Sequence, residues 1–247
     1  MSDEAVGGWH AVLALLERAP ERVLDIWVDR ARKGERREQL LQAAKNAGIK
    51  VQEATSETLD TRLGGDRHQG VVARCRAAVE RTEADLPEFL EALKQAPLLL
   101  ILDGIQDPHN LGACLRSADA AGVHAVILPR DNAAPLTPVV RKVASGAAET
   151  VPVFRVTNLA RVLDMLKNAG VWLVGASGDG GQRIYDVELQ GPVALVLGAE
   201  DKGMRRLTRD KCDFLAHIPM AGAVESLNVS VATGICLFEA VRQRTTR

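Results

Sequence analysis

Aromatic residues are scarce in this chain of 247 residues: four Phe, three Trp and one Tyr make up 3% of it. That excludes a nucleic-acid binding mode built on many stacked bases. An excess of either charge is also missing. Lys and Arg number 31 against 32 Asp and Glu, a net of −1, so any contact with a polyanion must rest on local patches. The longest apolar run, Leu98 to Leu102 with its neighbours, falls far short of the roughly 20 residues that a membrane span requires. The first residues, Met-Ser-Asp-Glu, carry negative charge where a secretory leader carries positive, and a cytoplasmic protein is expected. The four cysteines, Cys75, Cys114, Cys212 and Cys236, are far apart and form no Cys-x-x-Cys pair. They read as small buried hydrophobes rather than zinc ligands or a disulfide framework. His10, His68, His109, His124 and His217 show no metal-ligand spacing, and no metal is expected.

What is present is apolar residues in α/β order, 47% of the chain. Residues 1–77 read as helix (His10 to Arg18), strand (Val23 to Val28), helix (Glu35 to Ala47), strand (Ile49 to Val51), a helix from Thr58 and a strand at Gly70 to Ala73. This segment holds 13 Lys and Arg against 12 Asp and Glu, a balance of only +1. Its cluster Arg30, Arg32, Lys33, Arg36 and Arg37 suits either a phosphate backbone or a solvated surface. Residues 78–95 are acidic and polar and read as a linker with a short helix. In residues 96–247, short runs apolar on both faces alternate with helical patterns: Leu98 to Leu102, Ala125 to Leu128, Val151 to Val156, Val171 to Gly175, Val193 to Leu197 and Phe214 to Ile218. That alternation predicts an α/β domain whose parallel sheet is covered on both sides. Thr137-Pro138 and Asn158 are expected helix starts, and Gly170 a helix end. Ligands of such sheets bind outside the carboxyl ends of the strands, so chemistry is sought in the loops that follow them.

Three loops carry it. Asp103 to Arg116 contains Asp107-Pro108 as a turn, Asn110 as a helix cap and Arg116 further along the helix. Gly198-Ala199-Glu200-Asp201-Lys202-Gly203-Met204 has glycines at both ends but is no phosphate-binding fingerprint. Taken alone, Glu200 suits the positive end of the following helix. The third loop runs from Ile218-Pro219-Met220 to Ser226-Leu227-Asn228 and enters a helix through two capping residue types.

In residue types, spacing and order, these loops closely resemble the three motifs of the SpoU/TrmH branch of the SPOUT RNA methyltransferases, from Leu98 to Arg242. Gly8-Trp9-His10-Ala11-Val12 and His68-Gln69-Gly70 resemble the small N-terminal substrate-binding domain found in rRNA members of that branch. The resemblance implies a trefoil-knotted C-terminal domain, a homodimer, S-adenosylmethionine as methyl donor and a ribose 2′-hydroxyl as acceptor. Its expected target is a guanosine in the peptidyl-transferase region of large-subunit rRNA; a tRNA enzyme and a non-catalytic ribosome-assembly protein are the alternatives. Asn110, Arg116, Glu200, Ser226 and Asn228 match the catalytic positions. Leu197, Gly198, Ile218, Met220 and Leu227 match the cofactor-binding positions, where the family uses mainly backbone groups. Lys202, Glu225 and Trp9 depart from the common pattern, and Glu225 adds negative charge near the expected RNA path.

Overall fold

The computed structural model describes residues 3–65, 68–76, 81–200 and 202–245. Asp201 and the expected boundary at residue 77 lie outside them. In chain order the elements are β1 (Asp3–Gly7), α1 (Trp9–Arg18), β2 (Val23–Asp29), α2 (Glu35–Asn46), β3 (Val51–Ala54), α3 (Ser56–Leu63) and β4 (Val71–Arg76). They continue with α4 (Leu86–Glu91), β5 (Leu98–Asp103), α5 (Pro108–Ala120), β6 (Ala125–Pro129), α6 (Pro138–Ala144), α7 (Ala147–Thr150), β7 (Val153–Val156) and α8 (Leu159–Asn168). The chain ends with β8 (Trp172–Ala176), β9 (Gln182–Arg183), β10 (Val193–Gly198), α9 (Arg206–Lys211), β11 (Phe214–His217) and α10 (Val229–Thr245). Two compact units result: Met1–Val79 with Ser145–Thr150, and Glu80–Ala144 with Val151–Arg247.

The first unit carries a four-stranded sheet in the order β1-β4-β2-β3, with β3 parallel to β2 and the other pairs antiparallel. Val12, Leu15, Ile26, Leu40, Val71 and Ala73 are fully buried in one core cluster. Trp27 of β2 and Val72 of β4, which alternate with those residues along the same strands, form a smaller one with Leu59 of α3. The strand β1 has no counterpart in the sequence reading. Its residues Asp-Glu-Ala-Val-Gly show too short an apolar pattern, and its partner β4 lies far along the chain.

The second unit has a seven-stranded sheet in the order β7-β6-β5-β10-β8-β11-β9, every pair parallel. All six residues of β5 are buried, as are the first five of β10, which explains their uninterrupted apolar runs. Thr137 Oγ1 accepts from Val140 N–H at 3.4 Å, Asn158 Oδ1 accepts from Arg161 N–H at 3.0 Å, and Gly170 takes φ +79° after α8, as expected. Within the segment read as a linker, α4 contributes Leu86, fully buried in the second unit's core, and Phe89, packed edge-on against Phe154. Among the described residues no helix is long and apolar enough to cross a membrane, and no His/Cys/Asp/Glu cluster suits a metal ion.

The cysteines form no disulfide; three are buried and Cys212 is half-buried. Burial pushes the thiol of Cys114 up to about 11 and those of Cys212 and Cys236 up to about 12, the behaviour of packing residues.

Candidate active site

Reversal of strand order beside β5 puts the carboxyl ends of β5 and β10 side by side, with Asp103 opposite Gly198. The helices α5 and α10, which follow the first and third loops, pack on each other. Cys114 Sγ lies 3.4 Å from Thr233 Oγ1, and that hydroxyl donates to Val229 O at 2.7 Å. A Cβ on Gly112 would stand 2.7 Å from Val143 Cβ, so α5 also sits tightly on α6.

Asn110 is not the cap of α5. Asp107 holds that position, its carboxylate accepting from His109 N–H at 2.9 Å, and Pro108 occupies N1, where no N–H is needed. Asn110 is thereby moved into the first helical turn, and its side chain is free to face α10. Its Oδ1 accepts from Asn228 Nδ2 at 3.0 Å. The same Asn228 amide donates to Glu200 Oε1, and that oxygen also accepts from Val229 N–H at 3.2 Å. Asn228 Oδ1 in turn caps α10, accepting from Ser230 N–H at 2.9 Å. Glu200 therefore serves the N-terminus of α10 rather than that of α9, the helix next after it in sequence. Asn110, Glu200 and Asn228, from three loops, form one hydrogen-bonded cluster.

Arg116 and Ser226 stand apart from it. Arg116 is six residues beyond Asn110 on α5, about 9 Å along the axis and about 120° around it, and is exposed. Among the described residues its guanidinium has no partner. Ser226 is exposed and makes no hydrogen bond among the described residues.

The cofactor positions fall into two groups. Leu197 is buried in β10, and Gly198 ends the strand where the chain folds back on itself. Ala199 N–H donates to Gly203 O at 3.2 Å and Gly203 N–H to Ala199 O at 2.8 Å. A Cβ on Gly198 would stand 2.0 Å from backbone atoms of Gly203 and Met204, so only glycine fits that crossing. Ile218, Met220 and Leu227 belong to the loop after β11. Residues 219–226 of that loop are exposed, and among the described residues the backbone of residues 219–227 pairs with no other backbone group. Exposed N–H and C=O groups without backbone partners among the described residues, beside a glycine-bounded cradle, fit a ligand recognised by main chain, as S-adenosylmethionine would be.

Two features escaped the sequence reading. Asp103, with its side chain fully buried at the end of β5, accepts from Arg205 N–H at 2.9 Å and from Arg205 Nε at 2.6 Å, tying the β10 loop to β5. Its signal was a lone acid closing an apolar strand. The loop after β8, Ser177 to Gly181, stands between the β10 and β11 loops because β8 lies between those strands. There Arg209 holds both oxygens of Asp179, at 2.8 and 2.9 Å, and with Ser177 keeps that carboxyl well below the usual carboxylate range. The Gly-Asp-Gly-Gly run after a strand was its signal.

Residues 97–238 match the SpoU rRNA methylase family and residues 5–80 the RNA 2′-O ribose methyltransferase substrate-binding family. The chain is 57% identical over 242 residues to the 23S rRNA (guanosine-2′-O-)-methyltransferase RlmB of Haemophilus influenzae, covering 98% of each chain. It is 55% identical over 241 residues to that of Yersinia pestis, again covering 98% of each. Among solved structures, the SpoU methyltransferase AviRb of Streptomyces viridochromogenes, in complex with the cofactor AdoMet, is similar at 26% identity and a TM-score of 0.79, over 99% of this chain and 92% of that one. On its sequence, its two matched regions and its fold, the chain belongs to the SpoU rRNA methylase family.

Proposed function

We propose that this protein transfers a methyl group from S-adenosylmethionine to the ribose 2′-hydroxyl of a guanosine in large-subunit rRNA. The carrying observation is the Asn110–Asn228–Glu200 cluster at the carboxyl end of the parallel sheet. It stands in a chain that shares 55–57% identity with the two 23S rRNA guanosine methyltransferases over nearly its whole length.

When bound, S-adenosylmethionine supplies the electrophilic methyl carbon. Leu197, Gly198, Ile218, Met220 and Leu227 are the residues that would hold it, through main-chain groups of the β10 and β11 loops. The residues of the chain must orient a neutral hydroxyl and manage the loss of its proton. A guanidinium is a donor without an acceptor lone pair, so Arg116 is not assigned the role of base. Exposed, and unpaired among the described residues, it is suited to grip a substrate phosphate and stabilise the developing alkoxide, while the proton leaves to a phosphate oxygen or water. Asn110 orients the ribose or Arg116, Ser226 and Asn228 shape the third loop, and Glu200 fixes that loop to the second. The knotted chain path implied by the family belongs to the same reading, as do the substrate-binding role of residues 1–77, the linking role of 78–95 and the catalytic role of 96–247. An rRNA substrate supports a cytoplasmic location.

A homodimer completes the proposal. Val231, Ile235 and Phe238 follow one another at helical spacing on α10, and Val231 and Phe238 are about half exposed, at 50% and 49%. A second copy covering that stripe would lie against the helix that Asn228 caps.

The test is methylation by the purified protein of transcripts of large-subunit rRNA and of tRNA, with labelled S-adenosylmethionine and mapping of 2′-O-methyl groups. One labelled guanosine in the large-subunit transcript is expected. Label in tRNA alone overturns the substrate, and near-normal turnover by Arg116→Ala with unchanged cofactor affinity overturns the role of Arg116.

A further inference from the structure

The turn His68-Gln69-Gly70 and the segment from Arg30 to Arg36 have no part in methyl transfer, yet they meet at one end of the four-stranded sheet. Gly70 O accepts from Asp29 N–H at 2.9 Å. The Arg32 side chain lies over Gly70, where a Cβ would stand 2.8 Å from Arg32 Cγ.

Gln69 takes φ +56°, a left-handed conformation that glycine and asparagine tolerate and glutamine does not favour. Its surroundings enforce it. The buried His68 accepts through Nδ1 from Gly70 N–H at 2.9 Å, which leaves the ring proton on Nε2, 3.3 Å from Asp60 Oδ1 and 3.2 Å from Ser56 Oγ. Gln69 O accepts from the Trp9 indole at 2.9 Å, and His68 O from Val71 N–H at 3.0 Å. Held this firmly, the exposed Gln69 side chain makes no hydrogen bond among the described residues. A strained backbone that presents an unsatisfied amide to solvent is the arrangement expected of a residue that contacts a ligand.

The neighbouring charges identify the ligand's chemistry. Arg30, Arg32, Lys33 and Arg36 are all exposed and have no acidic partner among the described residues. Arg22, Arg37, Arg74, Arg183, Arg205, Arg209 and Arg242, by contrast, are all paired. The nearby acids are engaged: Asp29 Oδ1 accepts from Ala31 N–H at 3.0 Å and Glu35 from Gln39 at 3.2 Å. In a chain of net −1, four adjacent free cations make a local anion-binding patch.

We propose that this end of the sheet is an RNA-reading site, in which Arg30, Arg32, Lys33 and Arg36 hold phosphates and the Gln69 amide hydrogen-bonds the edge of one unpaired base. An amide offers an acceptor and two donors, enough to pair with a base edge, and an unpaired base is the fitting target because side chains cannot read the deep, narrow A-form major groove and sequence-specific recognition of RNA falls on unstacked bases. The inference rests on the rRNA reading above and extends it from catalysis to selection.

The experiment measures binding of the full chain to the large-subunit rRNA transcript and to a tRNA transcript across a salt series. Gln69→Gly is expected to melt at or above the wild-type temperature, keep the salt slope, and lose about tenfold of the preference for the rRNA transcript. Arg30→Gln with Arg32→Gln is expected to reduce the slope of log K against log salt by about 1.5. Preference retained by Gln69→Gly, or preference lost together with a lowered melting temperature, overturns the inference. A wild-type protein that methylates neither RNA overturns the enzymatic reading instead.

Discussion

Two glycines five residues apart in one loop are expected to respond very differently to the same substitution. In Gly198→Ala the new methyl would stand 2.0 Å from Gly203 C and Met204 N, against the 3.4 Å or more of ordinary contact. Both obstacles are backbone, so no rotamer change relieves the clash, and the Ala199–Gly203 pair of hydrogen bonds must open. Losing two such bonds costs about 1–3 kcal/mol. Overpacking adds a similar roughly 1–3 kcal/mol, so a total of about 2–6 kcal/mol is expected. Gly203→Ala introduces no clash within 4 Å and only a left-handed alanine at φ +62°, a cost of about 1 kcal/mol. In the thermal transition of the seven-stranded unit these become falls of roughly 4–24 °C and 2–4 °C. Calorimetric melting, with cofactor affinity measured by titration, provides the assay; Gly198→Ala is expected to lose S-adenosylmethionine binding and Gly203→Ala to weaken it. Equal falls for the two variants, or full cofactor affinity in Gly198→Ala, would refute the steric argument.

Other perturbations test the remaining parts. Glu200→Ala removes the acceptor of Val229 N–H and Asn228 Nδ2, and should cost about 1 kcal/mol in melting while lowering methylation more than tenfold; unchanged methylation would detach Glu200 from the site. Arg244 donates to the carbonyls of Leu189, Ala96, Pro97 and Gly191, so Arg244→Ala should destabilise the second unit by about 2–4 kcal/mol in urea unfolding, and a loss below about 1 kcal/mol would contradict it. The thiols of Cys114, Cys212 and Cys236 titrate higher in the folded state, at about 11 to 12, than the ordinary 9.0. Above pH 9 the unfolded chain therefore holds fewer protons, and stability should fall with rising pH by up to about 1.4 kcal/mol per thiol per pH unit. Cys236→Ala should flatten that fall in urea midpoints taken from pH 8 to 10. Phe238→Glu places charge in the α10 stripe and should yield monomers in light scattering; an unchanged dimer would move the interface elsewhere.

The second unit's strands were legible because burial on both faces leaves nothing but apolar residues, as in Leu98 to Leu102. The short β9, only Gln182–Arg183, carried no such run. Asn110, Glu200 and Asn228 were legible as a set through the family resemblance, whereas their mutual hydrogen bonds were not, because residues up to 118 apart meet only through the sheet order. Asn110 is a capping residue type, yet Asp107-Pro108 sets the start of the helix, because proline fixes the first helical position. Gln69 was legible only as part of a short signature; its positive φ depends on His68, Trp9 and Gly70 acting together.

The pairing of β5 also sets a timetable for biosynthesis. Its register with β10 joins Leu98 to Val193, 95 residues later. At about 5–20 residues per second, a ribosome leaves that edge of β5 without its neighbour for roughly 5–20 s. An apolar strand with an unpaired edge is a template for association with other chains, and parallel pairing across such distances is slow. The nascent protein is therefore most exposed to aggregation during that interval, and the cluster that unites Asn110 with Asn228 is among the last parts to form.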